Sequence, residues 1–261
     1  SSGTLLFMLG IAFKLSLVPF HFWTPDVYQG ASTPISMLLA TVSKIAMFTV
    51  LLKFWFSWLS FSSTNNIDLQ NITYLLSTIA ILSMIFGNSL ALKQENIKRL
   101  LGYSSIAHMG YLLIILMVSS SQNVAFAWQS ALFYLAAYVL ANLSIFTVLI
   151  LYSSYGHSAE HNMDEEITIT HWRGLFWRNK WLASLVIISM LSMAGIPLTM
   201  GFIGKFYLLN VATQAQLWWL IGALIVGSGI GLYYYLRVIF ILFITETSSS
   251  QHEQRIILPL A

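Results

Sequence analysis

The stretch FKLSLVPFHFWTPDVYQGASTPISMLLATVSKIAMF, residues 13–48, contains two apolar segments that each carry a lysine. Lys14 and Lys44 lie well inside these segments, and Pro19 interrupts the first one. Because a helix rises 1.5 Å per residue, the two amines lie roughly 12 and 15 Å from the ends of their segments. A charge at the centre of a bilayer costs about 2.5–3.5 kcal/mol. The stretch therefore predicts membrane helices whose lysines are retained for a use.

The composition of the whole chain agrees with a membrane protein. Of 261 residues, 57% are hydrophobic and only 8% are charged, compared with about 25% charged residues in soluble domains. This excludes a soluble enzyme, a disordered chain and a disulfide scaffold. The absence of cysteine excludes thiolate catalysis and cysteine-bound zinc or iron–sulfur clusters. The sequence has no basic face interleaved with aromatic residues, so it does not indicate a nucleic-acid partner.

Seven segments are long and apolar enough to cross a bilayer, which takes about 20 residues. They are residues 3–22, 34–61, 72–92, 101–118, 124–151, 181–211 and 217–243. Backbone groups in lipid must be paired internally and no barrel-type strands are seen, so these spans are helices. The sequence predicts an all-α polytopic bundle, a single membrane domain over residues 1–261 with a polar cytoplasmic loop at 152–180.

The basic residues predict the orientation of this bundle. They cluster in three connecting regions, namely Lys93, Lys98 and Arg99, then Arg173, Arg178 and Lys180, then Arg237 and Arg255. For seven spans these regions share one side, whereas the opposite loops at 62–71, 119–123 and 212–216 contain no Lys or Arg. Cytoplasmic loops are enriched in Lys and Arg, so this side is predicted to face the cytoplasm.

Two spans contain an internal proline, Pro19 in the first and Pro197 in the sixth. Proline removes a helix hydrogen bond and clashes with the preceding turn, so we expect a discontinuous helix at each; the alternative is an ordinary proline kink. A break in lipid persists only where protein or water pairs the freed groups. The two spans are five apart and therefore antiparallel, as inverted repeats in transporters require.

Lys14, Lys44 and Lys205 lie inside predicted spans, whereas all nine acidic residues lie in loops or at span ends. Burial disfavours the charged form of an amine, so a buried lysine can exchange a proton near neutral pH, which arginine cannot. Lysines joined by water predict a proton relay; the alternative for each is a side chain that extends to the headgroups. His108 extends the relay or is a packed histidine. Lys98 gates its cytoplasmic end or is simply a positive-inside residue.

Two further patterns are better explained by structure than by chemistry. His157, Glu160 and His161 match the zinc peptidase pattern H-x-x-E-H, but they lie in a polar loop with no apolar helix to bury them, and we expect no metal site. The glycines at 227, 229 and 231 lie inside an apolar span, where Gly227 and Gly231 predict a helix-packing face.

Three stretches resemble one known family: residues 13–48, ALKQENIKRLLGYSSIAHMGYLL at 91–113, and SMAGIPLTMGFIGKFYLL at 192–209. They are similar to the proton-pumping, antiporter-like subunits of NADH–quinone oxidoreductase, respiratory complex I. The resemblance covers nearly the whole chain except about 153–172. It implies a fourteen-helix fold with two inverted five-helix repeats, of which this sequence supplies helices seven to thirteen, so we expect a longer parent chain.

The resemblance also implies roles for the candidate residues. Lys14 is the lysine of the first broken helix, paired in the family with a glutamate on helix five that this sequence does not contain. Lys44 is the central lysine. Lys205 is the terminal lysine of the second broken helix, where the related subunit M has a glutamate. His108 and Lys98 match further positions of the polar axis.

The function implied by the resemblance is that of a non-redox, proton-translocating subunit of NADH:quinone oxidoreductase in the bacterial inner membrane. It would bind no cofactor, since NADH, FMN, iron–sulfur clusters and quinone belong elsewhere in the complex. The implied partners are other membrane-arm subunits, in particular antiporter-like subunit M and small subunit K, and membrane lipids. Two alternatives are a subunit of a multi-subunit Na⁺/H⁺ antiporter and a structural arm subunit without transport.

Overall fold

The computed structural model describes residues 2–64, 70–117, 124–156 and 168–244, and nearly all of these are helical. The helices are α1 Ser2–Leu15, α2 Trp23–Gly30, α3 Thr33–Leu38, α4 Lys44–Thr64, α5 Gln70–Ala91, α6 Ile97–Leu113, α7 Val124–Gly156, α8 Leu175–Arg178, α9 Lys180–Ala194, α10 Met200–Gln214 and α11 Trp218–Phe243. A π-helical turn, Leu39–Ser43, joins α3 to α4.

Within these described ranges, five helical stretches are long and apolar enough to cross a membrane. They are Thr33–Phe61, Ile72–Ala91, Ile97–Met117, Val124–Tyr152 and Trp218–Phe243. Two shorter apolar helices, Leu6–Leu15 and Lys180–Ala194, fall in the predicted first and sixth spans. The prediction of an all-α polytopic membrane protein is confirmed, whereas the number of seven spans remains a prediction.

The first predicted break is a true helix end. Ser16 has a left-handed φ of 64°, the Leu17 amide donates to the Ala12 carbonyl at 2.9 Å, and the Ser16 amide donates to the Phe13 carbonyl at 3.0 Å. This is the Schellman pattern that terminates helices. α1 therefore ends at Leu15, before Pro19 is reached, and the proline-kink alternative is wrong here.

The second break has the same hydrogen-bond pattern. Gly195 has a φ of 81°, the Ile196 amide donates to the Leu191 carbonyl at 3.1 Å, and the Gly195 amide donates to the Ser192 carbonyl at 3.1 Å. α9 ends at Ala194, and Pro197 follows the end rather than causing a kink. Proline is common just after such a C-cap because it cannot continue the helix.

The helix α6 lies at the centre of the bundle, and almost every one of its residues is buried. It packs against α5 along its length and meets α2, α7, α10 and α11. Gly227 and Gly231 of α11 allow α11 to lie against this region, because a Cβ on Gly227 would be 3.0 Å from the Tyr111 hydroxyl and one on Gly231 would be 3.2 Å from Oδ1 of Asn88. The predicted packing role of these two glycines is confirmed.

The predicted loop at 152–180 differs from the structure at both ends. α7 continues to Gly156, and the chain from Ile169 to Arg178 forms a capped 3-10 turn and the short helix α8. Ile169 and Trp172 are buried. This part of the chain therefore packs its apolar side onto the bundle. The H-x-x-E-H pattern at 157–161 lies outside the described residues.

The basic connecting regions meet at one end of the bundle. Arg237 donates to the Leu92 carbonyl at 3.2 Å, and Nε1 of Trp177 donates to the Phe243 carbonyl at 3.1 Å. Lys98 donates to the carbonyl of Ala31, just after α2, at 3.0 Å. The first broken span, α1 followed by α2, therefore runs towards the basic end. The second broken span begins at that end with α9, so the two broken helices are antiparallel.

The orientation can be tested with single cysteines, because the chain contains none. Glu95 is exposed at the basic end and Thr213 is exposed near the opposite end. We expect an impermeant maleimide to label Thr213→Cys in right-side-out vesicles and Glu95→Cys in inverted vesicles. The reverse pattern of labelling would contradict the predicted cytoplasmic position of the basic end.

The second break also predicts a stability effect. A Cβ at Gly201 would collide with the Ser192 carbonyl, whereas one at Gly222 would meet nothing within 4 Å. Gly201→Ala should destabilise the protein by about 1–3 kcal/mol through overpacking, seen as a lower unfolding midpoint in detergent. Gly222→Ala, the control, should leave it unchanged or raise it, since alanine favours helix; equal midpoints for the two variants would refute the steric argument.

Candidate functional site

Lys44 is buried, and its amine is surrounded by oxygen atoms at the first helix break. Only 1% of the residue is exposed. Nζ donates to Oγ of Ser105 at 2.8 Å, to the Leu15 carbonyl at 3.3 Å and to Oγ of Ser16 at 3.5 Å. Oγ of Ser16 also accepts a short hydrogen bond from Thr24. The three donors of an ammonium group are thus all satisfied.

The backbone at the first break explains why Lys44 is held there. The last carbonyls of a helix have no partner within it, and the cap at Ser16 pairs those of Ala12 and Phe13 but not that of Leu15. The ammonium group takes this free carbonyl, and a cation at a helix C-terminus is favoured by the helix dipole. The π-helical turn ends immediately before Lys44; such turns frequently occur at functional sites.

Lys205 repeats this arrangement at the second break. Only 6% of the residue is exposed, and Nζ donates to the carbonyls of Met193 at 3.1 Å and Ala194 at 2.8 Å, and to Oγ of Ser228 at 2.7 Å. The two carbonyls are those that the cap at Gly195 leaves free. A Cβ on Gly195 would lie 2.8 Å from the Lys205 side chain, so glycine is needed here for space as well as for its backbone angle.

The ligands of both lysines suit a group that gains and loses a proton. Backbone carbonyls only accept, whereas a serine hydroxyl can accept from an ammonium group or donate to the lone pair of a neutral amine. Each lysine has at least one backbone carbonyl and at least one serine hydroxyl as ligands. The serines are Ser105 and Ser16 beside Lys44, and Ser228 beside Lys205. Neither amine has a carboxylate partner, because among the described residues the acids are Asp26 and Glu95, both exposed.

His108 lies between the two lysines and is held by tyrosines at both ring nitrogens. Nδ1 is 2.7 Å from the Tyr134 hydroxyl, and Nε2 is 3.1 Å from the Tyr235 hydroxyl. The Tyr235 hydroxyl is in turn 2.6 Å from Oγ of Ser104. In a neutral imidazole one nitrogen donates and the other accepts. Reversing every hydrogen bond in this chain therefore moves one proton across the ring.

A small cavity separates His108 from Lys205. Its volume is about 10 Å³, near the minimum that holds one water molecule. Both side chains line it, together with Tyr134 and Tyr138. Lys44 reaches the same helix through Ser105, which precedes His108 by one turn. The structure thus brings three of the predicted residues, Lys44, His108 and Lys205, into one buried region around α6.

Lys14 and Lys98 are not part of this region. Lys14 lies in the last turn of α1, and its side chain is exposed on the outside of the described chain. Lys98 lies at the basic end and caps the C-terminus of α2 through the Ala31 carbonyl. An ion pair between Arg99 and Asp26, 2.6 Å apart, lies at this same end. Lys98 thus has a structural contact at the basic end, and its role in gating stays a prediction.

The described residues contain no group of three or more His, Cys, Asp or Glu side chains that could hold a metal ion. Sequence reasoning missed the hydroxyl groups that complete the site: Ser16, Ser104, Ser105, Tyr134, Ser228 and Tyr235. Ser104 and Ser105 precede His108 by one helical turn, which was a visible signal. The tyrosines had none, since aromatic residues are common throughout this chain.

Comparison with known proteins agrees with this fold. NADH-quinone oxidoreductase subunit N of Ectopseudomonas mendocina (strain ymp) is 48% identical over 253 residues, which are 96% of this chain and 48% of that protein. A chain of respiratory complex I from Thermus thermophilus with bound aureothin has a TM-score of 0.72 at 33% identity, covering 90% of this chain and 48% of that one.

A chain of the Mrp complex from Dietzia sp. DQ12-45-1b has a TM-score of 0.77 at 18% identity, covering 94% of this chain and 42% of that one, a likeness that concerns the fold alone. The chain spans about half the length of the relatives it matches. The family described as NADH:quinone oxidoreductase/Mrp antiporter, TM, matches residues 1–231. Because this match covers most of the sequence, the chain belongs to the NADH:quinone oxidoreductase/Mrp antiporter family of membrane proteins.

Proposed function

We propose that this chain is part of a proton-translocating, non-redox membrane subunit of NADH:quinone oxidoreductase, similar to subunit N, in the bacterial inner membrane. One observation carries the proposal: Lys44, His108 and Lys205 lie buried in one region with ligands that suit both states of an amine. The 48% identity to a subunit N supports the choice of complex.

In the proposed mechanism a proton crosses the bundle along the line from Lys44 to Lys205. A protonated Lys44 gives its proton to the oxygen of Ser105, 2.8 Å away, while the Ser105 hydroxyl releases its own proton to water on the side of His108. His108 passes a proton by reversal of its two tyrosine hydrogen bonds. A water molecule in the adjacent cavity delivers it to Lys205, whose neutral amine accepts it while Ser228 turns. No group changes oxidation state, so redox energy would come from other subunits.

Lys14 would control Lys44 through the shared helix end. Lys14 precedes Leu15, whose carbonyl binds the Lys44 amine at 3.3 Å. Its exposed side chain is free to pair with a glutamate on a helix outside this sequence. A movement of Lys14 toward that glutamate would displace the Leu15 carbonyl and alter the affinity of Lys44 for a proton. Lys98, bound to Ala31, would keep the basic end closed rather than carry protons.

The proposed partners are the neighbouring membrane-arm subunits, in particular antiporter-like subunit M and small subunit K, with lipid around the rest. NADH, FMN, iron–sulfur clusters and quinone would be bound by other subunits. The alternative of a Na⁺/H⁺ antiporter subunit is supported by the matched family, whose description names both NADH:quinone oxidoreductase and the Mrp antiporter.

We predict that Lys44→Ala in the assembled complex lowers NADH-driven proton pumping in proteoliposomes by about tenfold or more, because a proton-transfer group is removed. Lys44→Arg should fail nearly as badly, since guanidinium stays protonated. The control is Lys53→Ala on the same helix, whose side chain is exposed and which should pump normally.

Normal pumping by Lys44→Ala would support a structural arm subunit without transport, and full pumping by Lys44→Arg would remove the titration argument. Uptake of labelled sodium driven by a proton gradient, lost in Lys44→Ala, would favour the antiporter alternative. Assembly of each variant is checked by native gel electrophoresis of the purified complex, in which loss of the membrane subunit would change the mobility.

A further inference from the structure

The hydroxyl group of Tyr138 on α7 is buried and has no hydrogen-bond partner. Only 3% of the residue is exposed. The hydroxyl of Tyr28 on α2 is also buried without a partner, and Tyr28 is 0% exposed. A buried hydroxyl that is left unpaired costs about 1–3 kcal/mol. Such groups in a native protein commonly serve to bind water or to act in chemistry.

Tyr138 lies between the two halves of the proposed proton path. On one side it lines the cavity that also borders His108 and Lys205, and its ring centroid is 5.3 Å from that of His108. The Tyr138 hydroxyl is also near Ser105, the ligand of Lys44, but does not reach hydrogen-bond geometry with it. The same holds for the Tyr28 hydroxyl.

The hydrogen bonds of the described residues do not join these two halves. One group connects Lys44 with Ser105, whose hydroxyl also donates to the Gly102 carbonyl at 2.7 Å. The other group connects Tyr134, His108, Tyr235 and Ser104. Ser104 and Ser105 are adjacent in sequence, but on a helix adjacent side chains point about 100° apart, and these two bind different partners. A proton therefore needs another group to pass from Ser105 to His108.

We propose that Tyr138 is this group: its hydroxyl binds water between Ser105 and His108 and passes the proton from the Lys44 side to the Lys205 side. The step balances without ionisation of Tyr138. Its oxygen accepts a proton from the Ser105 side while its own proton leaves to water in the cavity beside His108. Rotation of the hydroxyl then resets the donor. This inference rests on the proposed function.

The test is Tyr138→Phe in the intact complex, reconstituted in proteoliposomes, with Tyr233→Phe as the matched control. Tyr233 is 65% exposed on α11 and lies outside the path. We expect NADH-driven pumping to fall about tenfold or more in Tyr138→Phe and to stay at the wild-type rate in the control. The ratio of pumping rates in H₂O and D₂O should also rise, because the remaining proton transfer becomes slower and limits the rate.

The outcomes separate this inference from the function on which it rests. If Lys44→Ala stops pumping but Tyr138→Phe does not, the proton path stands and the role of Tyr138 is wrong. Slow pumping by Tyr138→Phe with an unchanged ratio of pumping rates in H₂O and D₂O also overturns the role of Tyr138. That result would indicate a packing defect, which has no effect on proton transfer. If Lys44→Ala pumps normally, both proposals fail.

A second measurement decides the matter if Tyr138→Phe does not assemble. A density map of the wild-type complex at a resolution that shows water should contain a water molecule within hydrogen-bond distance of the Tyr138 hydroxyl and on the side of His108 or Ser105. A map in which that hydroxyl contacts only protein carbon atoms would overturn the inference.

Discussion

Two helices of this protein end inside the membrane-spanning bundle, and the carbonyl groups left free at those ends must be paired. In lipid each unpaired backbone group costs several kcal/mol, and no bulk water is present to bind it. The caps at Ser16 and Gly195 pair two carbonyls each. Lys44 binds the carbonyl of Leu15, and Lys205 binds the carbonyls of Met193 and Ala194. The same contact therefore closes a helix and holds a titratable amine where lipid would otherwise exclude it.

This contact links the fold to the proposed transport. When an amine loses its proton, the helix end loses a positive charge that the helix dipole favours, so protonation and the stability of the local backbone structure are coupled. At Lys44 the carbonyl ligand belongs to Leu15, the residue after Lys14. At Lys205 both carbonyl ligands lie at the end of α9, which precedes the helix of Lys205 in the same broken span.

The central helix α6 brings the two antiparallel halves together. Its N-terminal half contributes Ser104 and Ser105, and its middle contributes His108, which is why one helix contacts both lysine sites. Nearly complete burial of α6 means that a change on either side is felt through packed side chains. Among the described residues a small cavity lies beside His108 and Lys205, and hydroxyl groups of serine and tyrosine supply the hydrogen bonds around His108.

Local sequence was enough to predict the class of protein, the position of Lys44 and Lys205 inside apolar segments, and the presence of two breaks, because hydropathy, charge and cap residues act over a few neighbouring positions. It placed the breaks at Pro19 and Pro197, whereas the helices end earlier at left-handed residues. The packing of the helices sets which oxygen atoms bind each amine, the contact of Tyr134 and Tyr235 with His108, and the outward position of Lys14. Those facts depend on which faces of distant helices meet, and residues far apart in sequence carry no local signal of it.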